Sequence, residues 1–202
     1  AMNLSVLRVW GFSDGYANYW GQLQPQKGVY NENSGFGGFN KFDRMIKEAK
    51  DRNIKLIIPL TNYWNDFGGV RQYDDWCSVS NWDDFYTNAC TKQAYKDYVN
   101  YVLNRVNNLT GIKYKDDPTI MAWELINEPR ADGDPSGNII DNWIEEMSSY
   151  IKSIDKNHLV GVGEEGFNGH GTDFIRNHNH TNIDFSAFHL FPNSWGFNDQ
   201  QS

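Results

Sequence analysis

The stretch that decides the fold is Thr119–Arg130, with the sequence TIMAWELINEPR. Its first eight residues form an apolar run that predicts a buried β-strand. The polar segment Asn127-Glu128-Pro129 follows directly. Pro129 ends the strand sharply and fixes the direction of Glu128, because proline has a fixed φ angle and no backbone donor. The stretch therefore predicts a strand that presents a carboxyl group, with an amide beside it, at its carboxyl end.

Similar apolar runs alternate with segments of helical spacing along the whole chain. The predicted strands are 4–10, 54–60, 119–126, 159–162 and 184–189. The predicted helices are 39–52, 92–107, 141–154 with a cap near Asp141, and a turn of helix within 172–177. Segments 11–38 and 61–81 are predicted to be long loops. This alternation indicates an α/β fold with βαβ units and a parallel sheet that is covered on both faces.

Polar and aromatic side chains collect where the predicted strands end. Arg8, Asn62, Glu128 and His189 all occupy such positions, as does the pair Glu164-Glu165. Clustering at the carboxyl ends of parallel strands is typical of a (β/α)8-barrel active site. A doubly wound open sheet also binds ligands there. The sequence has no glycine-rich phosphate turn of the nucleotide-binding type, which weakens that alternative.

Length and charge limit the classes of function. The 202 residues suffice for a single domain over 1–202. Acidic side chains outnumber basic ones 26 to 18, for a net charge of −8, which disfavours nucleic acid as a partner. No apolar run reaches the roughly 18 residues that a membrane span needs. Eight Trp, 11 Tyr and 12 Phe residues offer rings for stacking on sugars, although core packing would also use many of them.

Glu128 has the features of a general acid in glycoside hydrolysis. That reaction needs a proton donor for the leaving oxygen, and partial burial adjusts the donor's pKa. A neighbouring amide such as Asn127 can bind the sugar 2-hydroxyl in the transition state. The alternative is that Glu128 forms only a structural ion pair, with Arg8 or Arg130.

Five sequence blocks in register resemble glycoside hydrolase family 5, and specifically its mannanase branch. The blocks are VLRVWGFSDG, NYWNDFGG, YKDDPTIMAWELINEPR, GEEGF and FHLFPNSWG. The resemblance implies a TIM (β/α)8 barrel that cleaves β-1,4-mannosidic bonds inside mannan, galactomannan or glucomannan with retention. It also implies a secreted, extracellular enzyme that needs no cofactor and no metal.

The resemblance also assigns roles to single residues. Glu128 matches the catalytic acid/base and Asn127 its sugar-binding neighbour. Arg8 matches the arginine that contacts the nucleophile carboxylate, and His189 matches the active-site histidine of the sixth strand. The residues expected to bind substrate are Asn62, Trp64, Arg130, Glu165 and Trp195.

Two departures from the family pattern concern the nucleophile. Phe191 stands where the family has a tyrosine whose hydroxyl binds that carboxylate. The nucleophile itself is expected at the end of the seventh strand, and no carboxylate of this chain matches it. Glu124 is interpreted as structural, Glu164 is expected to be exposed to solvent, and Glu165 belongs to an earlier turn.

The matched blocks correspond to about strands two to six of the barrel, so the catalytic domain is predicted to be incomplete. An open sheet with uncovered edges invites aggregation. We expect the remainder of the barrel to be a partner, as further sequence, as another chain or by exchange between subunits.

Two cysteines, Cys77 and Cys90, allow one disulfide in a secreted chain. Two other functions remain open at this stage. One is an endo-β-1,4-glucanase of the same family, and the other is a carbohydrate-binding fragment without catalysis.

Overall fold

The computed structural model describes residues 3–15, 21–33, 37–166 and 168–191. Its sheet has four parallel strands that lie side by side in chain order. They are β1 Val6–Arg8, β2 Lys55–Pro59, β3 Ile120–Glu124 and β4 Leu159–Gly161. Because right-handed crossovers in chain order place every helix on the same face, the sheet has a helical face and an opposite face that bears no crossover helix.

The helices that follow the strands form a layer on the helical face of the sheet. They are α1 Phe39–Asp51, α2 Gly69–Cys77, α3 Asp84–Thr87, α4 Ala89–Asn104, α5 Asn138–Ile154 and α6 Phe174–Asn177. A 3-10 turn at Tyr114–Asp116 precedes β3. Within the described part of the chain, no helix is both long and apolar enough to span a membrane.

Two buried tyrosines of α4 connect the helical layer to the strand ends. The Tyr95 hydroxyl donates to the Leu125 carbonyl at 2.7 Å, and the Tyr98 hydroxyl donates to the Gly11 carbonyl at 2.6 Å. Leu125 directly follows β3, and Gly11 lies three residues after the end of β1. The two bonds satisfy carbonyls that the sheet leaves unpaired, and they fix the backbone from which the polar side chains project.

A buried ion pair joins α1 to the segment after α4. Arg105 Nη2 lies 2.7 Å from Asp43 Oδ2 and 2.7 Å from Glu32 Oε2. The Tyr114 hydroxyl donates to Asp43 at 2.6 Å. Asp43 is fully buried, so its charge depends on these partners for compensation.

Two predicted strands differ from the structure at the edges of the sheet. Strand β1 is shorter than the predicted 4–10, and Val6 and Leu7 are each 37% exposed. Among the described residues β1 pairs with β2 alone. All three residues of β1 are exposed, so the expectation that both faces of the sheet are covered is wrong at this strand. Segment 184–189 is not a strand. It joins β4 through a single bridge between Gly161 and Phe185, and His189 N donates to the Glu165 carbonyl at 2.9 Å.

Helix α2 lies inside the segment predicted to be a loop. The glycine pair Gly68-Gly69 lies in this segment, but both glycines have positive φ angles and open the helix. Val70 and Tyr73, three residues apart, are fully buried and anchor it to the core.

The predicted cap of α5 was also placed too late. The helix begins at Asn138, and Asp134 accepts the Ile139 N–H at 2.8 Å. Asp141 lies in the first turn instead, where a negative charge is favourable.

Candidate active site

The ends of β1, β2 and β3 surround a cavity of about 510 Å³. A volume of this size is in the range of small-molecule sites, about 300–1,000 Å³. Its lining is polar and aromatic, as expected for a ligand that carries hydroxyl groups. The lining residues are Arg8, Trp10, Asn62, Trp64, Asp66, Phe67, Asn127, Glu128, His189 and Phe191.

Glu128 has an unusual backbone conformation. Its φ angle is +53°, in the left-handed region that residues with a Cβ seldom adopt. The Glu128 N–H donates to the Gly163 carbonyl at 2.8 Å, so the turn after β4 holds the turn after β3. Gly163 is required at this point, because a Cβ there would lie 2.0 Å from the Ile126 carbonyl oxygen. This close approach of two strand ends directs the Glu128 side chain into the cavity.

Both carboxylate oxygens of Glu128 are held. Trp64 Nε1 donates to Oε2 at 2.6 Å, and His189 Nδ1 lies 2.6 Å from Oε1. Burial by itself raises the pKa of Glu128, but the His189 and Trp64 hydrogen bonds and the nearby charges of His189 and Arg8 outweigh it. The net pKa is lower than that of an ordinary glutamate, so the described surroundings favour the carboxylate form.

Arg8 organises a network beside Glu128. Its Nε donates to Glu124 Oε2 at 2.7 Å, and its Nη2 donates to Asn127 Oδ1 at 2.9 Å. Asn127 Nδ2 in turn donates to Asn62 Oδ1 at 2.9 Å. Glu124 is 1% exposed, which agrees with the structural role expected of it. The network fixes the orientation of the Asn127 amide at the cavity wall.

Arg130 pairs with Glu165 rather than with Glu128. Arg130 Nη2 lies 2.7 Å from Glu165 Oε2, and the guanidinium lies 4.8 Å from the centre of the Trp64 ring. Arg8 pairs with Glu124, so the structure does not show the alternative in which Glu128 forms only an ion pair with Arg8 or Arg130. Glu165 holds Arg130, which packs on the Trp64 ring, and the backbone carbonyl of Glu165 accepts the His189 N–H. Glu165 is thus connected to both residues that hold the Glu128 carboxylate.

Glu164 is buried, contrary to the expectation that it is exposed. Its exposed fraction is 1%, and it accepts a hydrogen bond from the Asn177 side chain. Burial raises its pKa from 4.5 to about 7, against the smaller opposite effect of Asn177. Neighbouring residues on extended backbone point in opposite directions. Glu164 faces α6, whereas Glu165 pairs with Arg130, and neither Glu165 nor Arg130 lines the cavity.

The structure tests the other sequence predictions unevenly. Cys77 and Cys90 form a disulfide with a Cα–Cα distance of 5.8 Å, which confirms that prediction. Phe191 lines the cavity and brings no hydroxyl group to it. Trp195 lies outside the described residues. Among the described residues, no group of three or more His, Cys, Asp or Glu side chains is arranged to hold a metal ion.

Sequence reasoning missed three lining residues and one partner. The lining residues that it did not name as site residues are Trp10, Asp66 and Phe67. All three fall inside the quoted blocks VLRVWGFSDG and NYWNDFGG, so block membership was the available signal. The pairing of Arg8 with Glu124 spans 116 positions and had no local signal.

Known proteins match this chain along nearly its whole length. A family model described as glycoside hydrolase family 5, β-mannosidase-like, matches residues 2–202. Mannan endo-1,4-β-mannosidase 1 of Arabidopsis thaliana is 44% identical over 211 residues, which cover 96% of this chain and 50% of that protein. The chain therefore spans about half the length of the curated relatives it matches.

Solved structures give the same result for the fold. The endo-β-1,4-mannanase of Thermotoga petrophila superposes with a TM-score of 0.88 at 41% identity, over 95% of this chain and 47% of that chain. The endo-1,4-β-mannanase of Rhizomucor miehei has a TM-score of 0.88 at 40% identity, over 98% of this chain and 62% of that chain. The four parallel strands are thus an arc of a TIM (β/α)8 barrel, as the sequence predicted.

Proposed function

Since this chain belongs to the β-mannosidase-like group of glycoside hydrolase family 5, we propose that the protein hydrolyses internal β-1,4-mannosidic bonds of mannan, galactomannan or glucomannan with retention. One observation carries the proposal. Glu128 projects from a strand end into a cavity, and Trp64 and His189 hold its two carboxylate oxygens. The similar proteins from Arabidopsis thaliana and Thermotoga petrophila are named as mannan-cleaving enzymes.

Glu128 acts first as an acid and then as a base in this mechanism. It donates a proton to the leaving glycosidic oxygen while a second carboxylate, about 5–5.5 Å away, attacks the sugar. The indole N–H of Trp64 can only donate a hydrogen bond. When Glu128 is protonated, its acidic proton therefore cannot lie on the side of Oε2 that faces Trp64. The transferred proton therefore leaves from Oε1 or from the open side of Oε2. The same carboxylate then takes a proton from the water that releases the sugar.

The lowered pKa of Glu128 has a consequence for the acid step. An acid must be protonated, whereas Trp64 and His189 favour the charged form. A second carboxylate at about 5–5.5 Å would raise the pKa by repulsion between like charges. Once that carboxylate is bound to the sugar, its charge is neutralised and the pKa of Glu128 falls again, which suits the base step.

We propose that the nucleophile is not one of the 202 residues given in this sequence. Asp66 is the one other carboxylate among the described residues that line the cavity, and it does not match the family's nucleophile. The remaining roles are part of the same proposal. Arg8 contacts the nucleophile, Asn127 the sugar 2-hydroxyl, and Asn62, Trp64, Arg130, Glu165 and Trp195 other parts of the substrate.

Binding without turnover is a second candidate function, and Phe191 favours it. A phenyl ring lines the cavity at the position where the family pattern has a hydroxyl group for the nucleophile. Mannan binding in the absence of any release of reducing sugar would support this function.

The deciding experiment measures reducing sugar released from mannan by the protein together with the part that supplies the nucleophile, as wild type and as Glu128→Gln. We expect the substitution to lower turnover by about 10²–10⁴-fold, since the proton transfer is lost, while affinity for mannohexaose is retained. Glu48→Gln, on the outer surface of α1, is the matched control and should leave turnover unchanged. Cleavage of carboxymethylcellulose in preference to mannan would instead indicate an endoglucanase. Full activity of Glu128→Gln would overturn the assignment.

We also propose that the protein works outside the cell. The Cys77–Cys90 disulfide supports this location, because such bonds persist in oxidising compartments. Recovery of the protein from the culture medium of its source, with no free thiol, is the expected result. Recovery from the cell interior with both thiols free would contradict it.

A further inference from the structure

The hairpin between α4 and the 3-10 turn before β3 carries an Asn-X-Ser/Thr sequence at its tip. Such sequences are acceptors for N-linked glycosylation, and this chain has three, which begin at Asn3, Asn108 and Asn179. The second is Asn108-Leu109-Thr110. Val106 pairs with Lys113 in an antiparallel bridge, so this sequence lies at the tip of the hairpin. Loop tips accept a bulky surface group readily, because few packed contacts are displaced there.

The conformation of the tip is fixed by the buried residue Asn107 behind it. Asn107 Nδ2 donates to the Asp43 carbonyl at 2.9 Å. Its Oδ1 accepts the Leu109 N–H at 2.9 Å and the Thr110 N–H at 3.2 Å. Gly111, with a φ angle of +71°, closes the turn by donating its N–H to the Asn107 carbonyl at 2.8 Å. The tip therefore stands in solvent on a base that the protein interior holds.

The side-chain amide of Asn108 is accessible for modification. Asn108 is exposed, and its Nδ2 donates to Asn40 Oδ1 at 2.9 Å. A side-chain amide carries two N–H groups, and glycosylation replaces only one of them, so the bond to Asn40 can persist. Asn108 is not among the residues that line the cavity of Glu128. A glycan on Asn108 is therefore attached outside that cavity.

Two apolar side chains of the same hairpin are uncovered. Leu109 is 53% exposed and Val106 is 46% exposed. Neighbouring apolar side chains on a surface favour association between molecules. A sugar attached to Asn108 follows the backbone position next to Leu109, and its C–H groups can cover these side chains while its hydroxyl groups remain in water. The hairpin thus has both an accessible acceptor and an apolar surface that a glycan would shield.

We propose that Asn108 carries an N-linked oligosaccharide, which covers Leu109 and Val106. The co-reactant is an oligosaccharide bound through a diphosphate to a lipid, as supplied in a secretory pathway. Asn108 Nδ2 forms a bond to the anomeric carbon of the first sugar, and the bond from that carbon to the diphosphate oxygen breaks. The lipid diphosphate leaves with the electron pair, and the proton lost from Nδ2 passes to a base of the transferase. This inference rests on the proposed location outside the cell and is independent of mannan hydrolysis.

The test maps the peptides of the full-length protein, recovered from the culture medium of its source, by mass spectrometry. Enzymatic release of N-glycans in heavy-oxygen water leaves a labelled aspartate wherever a glycan stood, and we expect the label at Asn108. A peptide with unmodified Asn108 overturns the site. If that protein has a closed Cys77–Cys90 disulfide, the proposed location still stands. A protein that is labelled at Asn108 but never cleaves mannan supports this inference and overturns the proposed hydrolysis.

Two variants of Thr110, secreted by a eukaryotic host, form a matched pair. Thr110→Ala removes the hydroxyl group that the acceptor sequence requires, whereas Thr110→Ser keeps it. We expect Thr110→Ala to lose the Asn108 glycopeptide completely and Thr110→Ser to retain it. A glycopeptide that persists in Thr110→Ala overturns the assignment.

Light scattering on heating tests whether the glycan covers Leu109 and Val106. We expect Thr110→Ala to scatter roughly twofold or more above Thr110→Ser, because its apolar side chains are uncovered. Thr110→Ala also loses the hydrogen bond from Ile112 N to Thr110 Oγ1, so wild type that has been deglycosylated enzymatically is the control. This control should scatter like Thr110→Ala. Scattering of the control at the level of glycosylated wild type overturns the covering role.

Discussion

Replacement of Glu164 by glutamine should stabilise the protein at neutral and alkaline pH. The Glu164 side chain is buried, and burial raises its pKa from 4.5 to about 7. The folded protein therefore keeps a proton on Glu164 that the unfolded chain loses between these two values. Stability then falls as the pH rises through the window from about 4.5 to 7, because the folded state binds more protons. Glutamine keeps an oxygen for Asn177 and has no charge to bury.

The difference between the two pKa values corresponds to about 3 kcal/mol. We expect Glu164→Gln to exceed wild type by about this much at pH 8, and by less than about 1 kcal/mol at pH 5. Asp74, whose pKa burial also raises to about 7, titrates in the same range but is present in both proteins and cancels in the comparison.

Urea unfolding followed by tryptophan fluorescence at pH 5, 6, 7 and 8 measures this difference. Glu48→Gln, which removes a carboxylate from the surface of α1, should track wild type within about 0.5 kcal/mol at every pH. An advantage of Glu164→Gln that is equal at pH 5 and pH 8 would refute the electrostatic argument. A wild type that is the more stable protein at pH 8 would show that Glu164 is ionised and well compensated.

Three further predictions concern the site and the core. Trp64→Phe keeps a ring but removes the N–H that favours the carboxylate, so the pKa of Glu128 should rise, as measured by carbon NMR of the labelled carboxyl group. A fall in that pKa would contradict the hydrogen bond. Asp43→Ala leaves Arg105 buried with one partner fewer, and we expect a loss of about 3–5 kcal/mol in urea unfolding. Cys77→Ser opens the disulfide, and the stability lost should be about 3 kcal/mol for a loop of this length. A change below about 0.5 kcal/mol in either variant would contradict its stabilising role.

The position of Glu128 could be predicted because its signals are local. An apolar run, an amide, a carboxylate and a proline follow one another within twelve residues, and together they indicate a strand end that presents a carboxyl group. The disulfide could be predicted for a similar reason, since two cysteines allow a single pairing. Strand β3 and helix α5 followed from apolar spacing, with errors of a few residues at their ends.

Other features depend on contacts that no local pattern encodes. Which of the adjacent glutamates Glu164 and Glu165 faces inward is decided by where α6 packs and by where Arg130 lies. Helix α2 forms because Tyr73 finds a buried position, and its own sequence begins with glycines. Tertiary packing overrode local propensity at this helix.

At position 128, where the backbone is left-handed, selection for stability and selection for catalysis favour different residue types. Glycine takes a φ angle near +53° freely, whereas a residue with a Cβ costs roughly 1–2 kcal/mol there. In a population that evolves under selection for stability alone, glycine and asparagine are the residues we expect to accumulate at this position. Glutamate persists where its carboxylate is needed, and the identity of residue 128 therefore indicates whether a lineage still depends on the reaction.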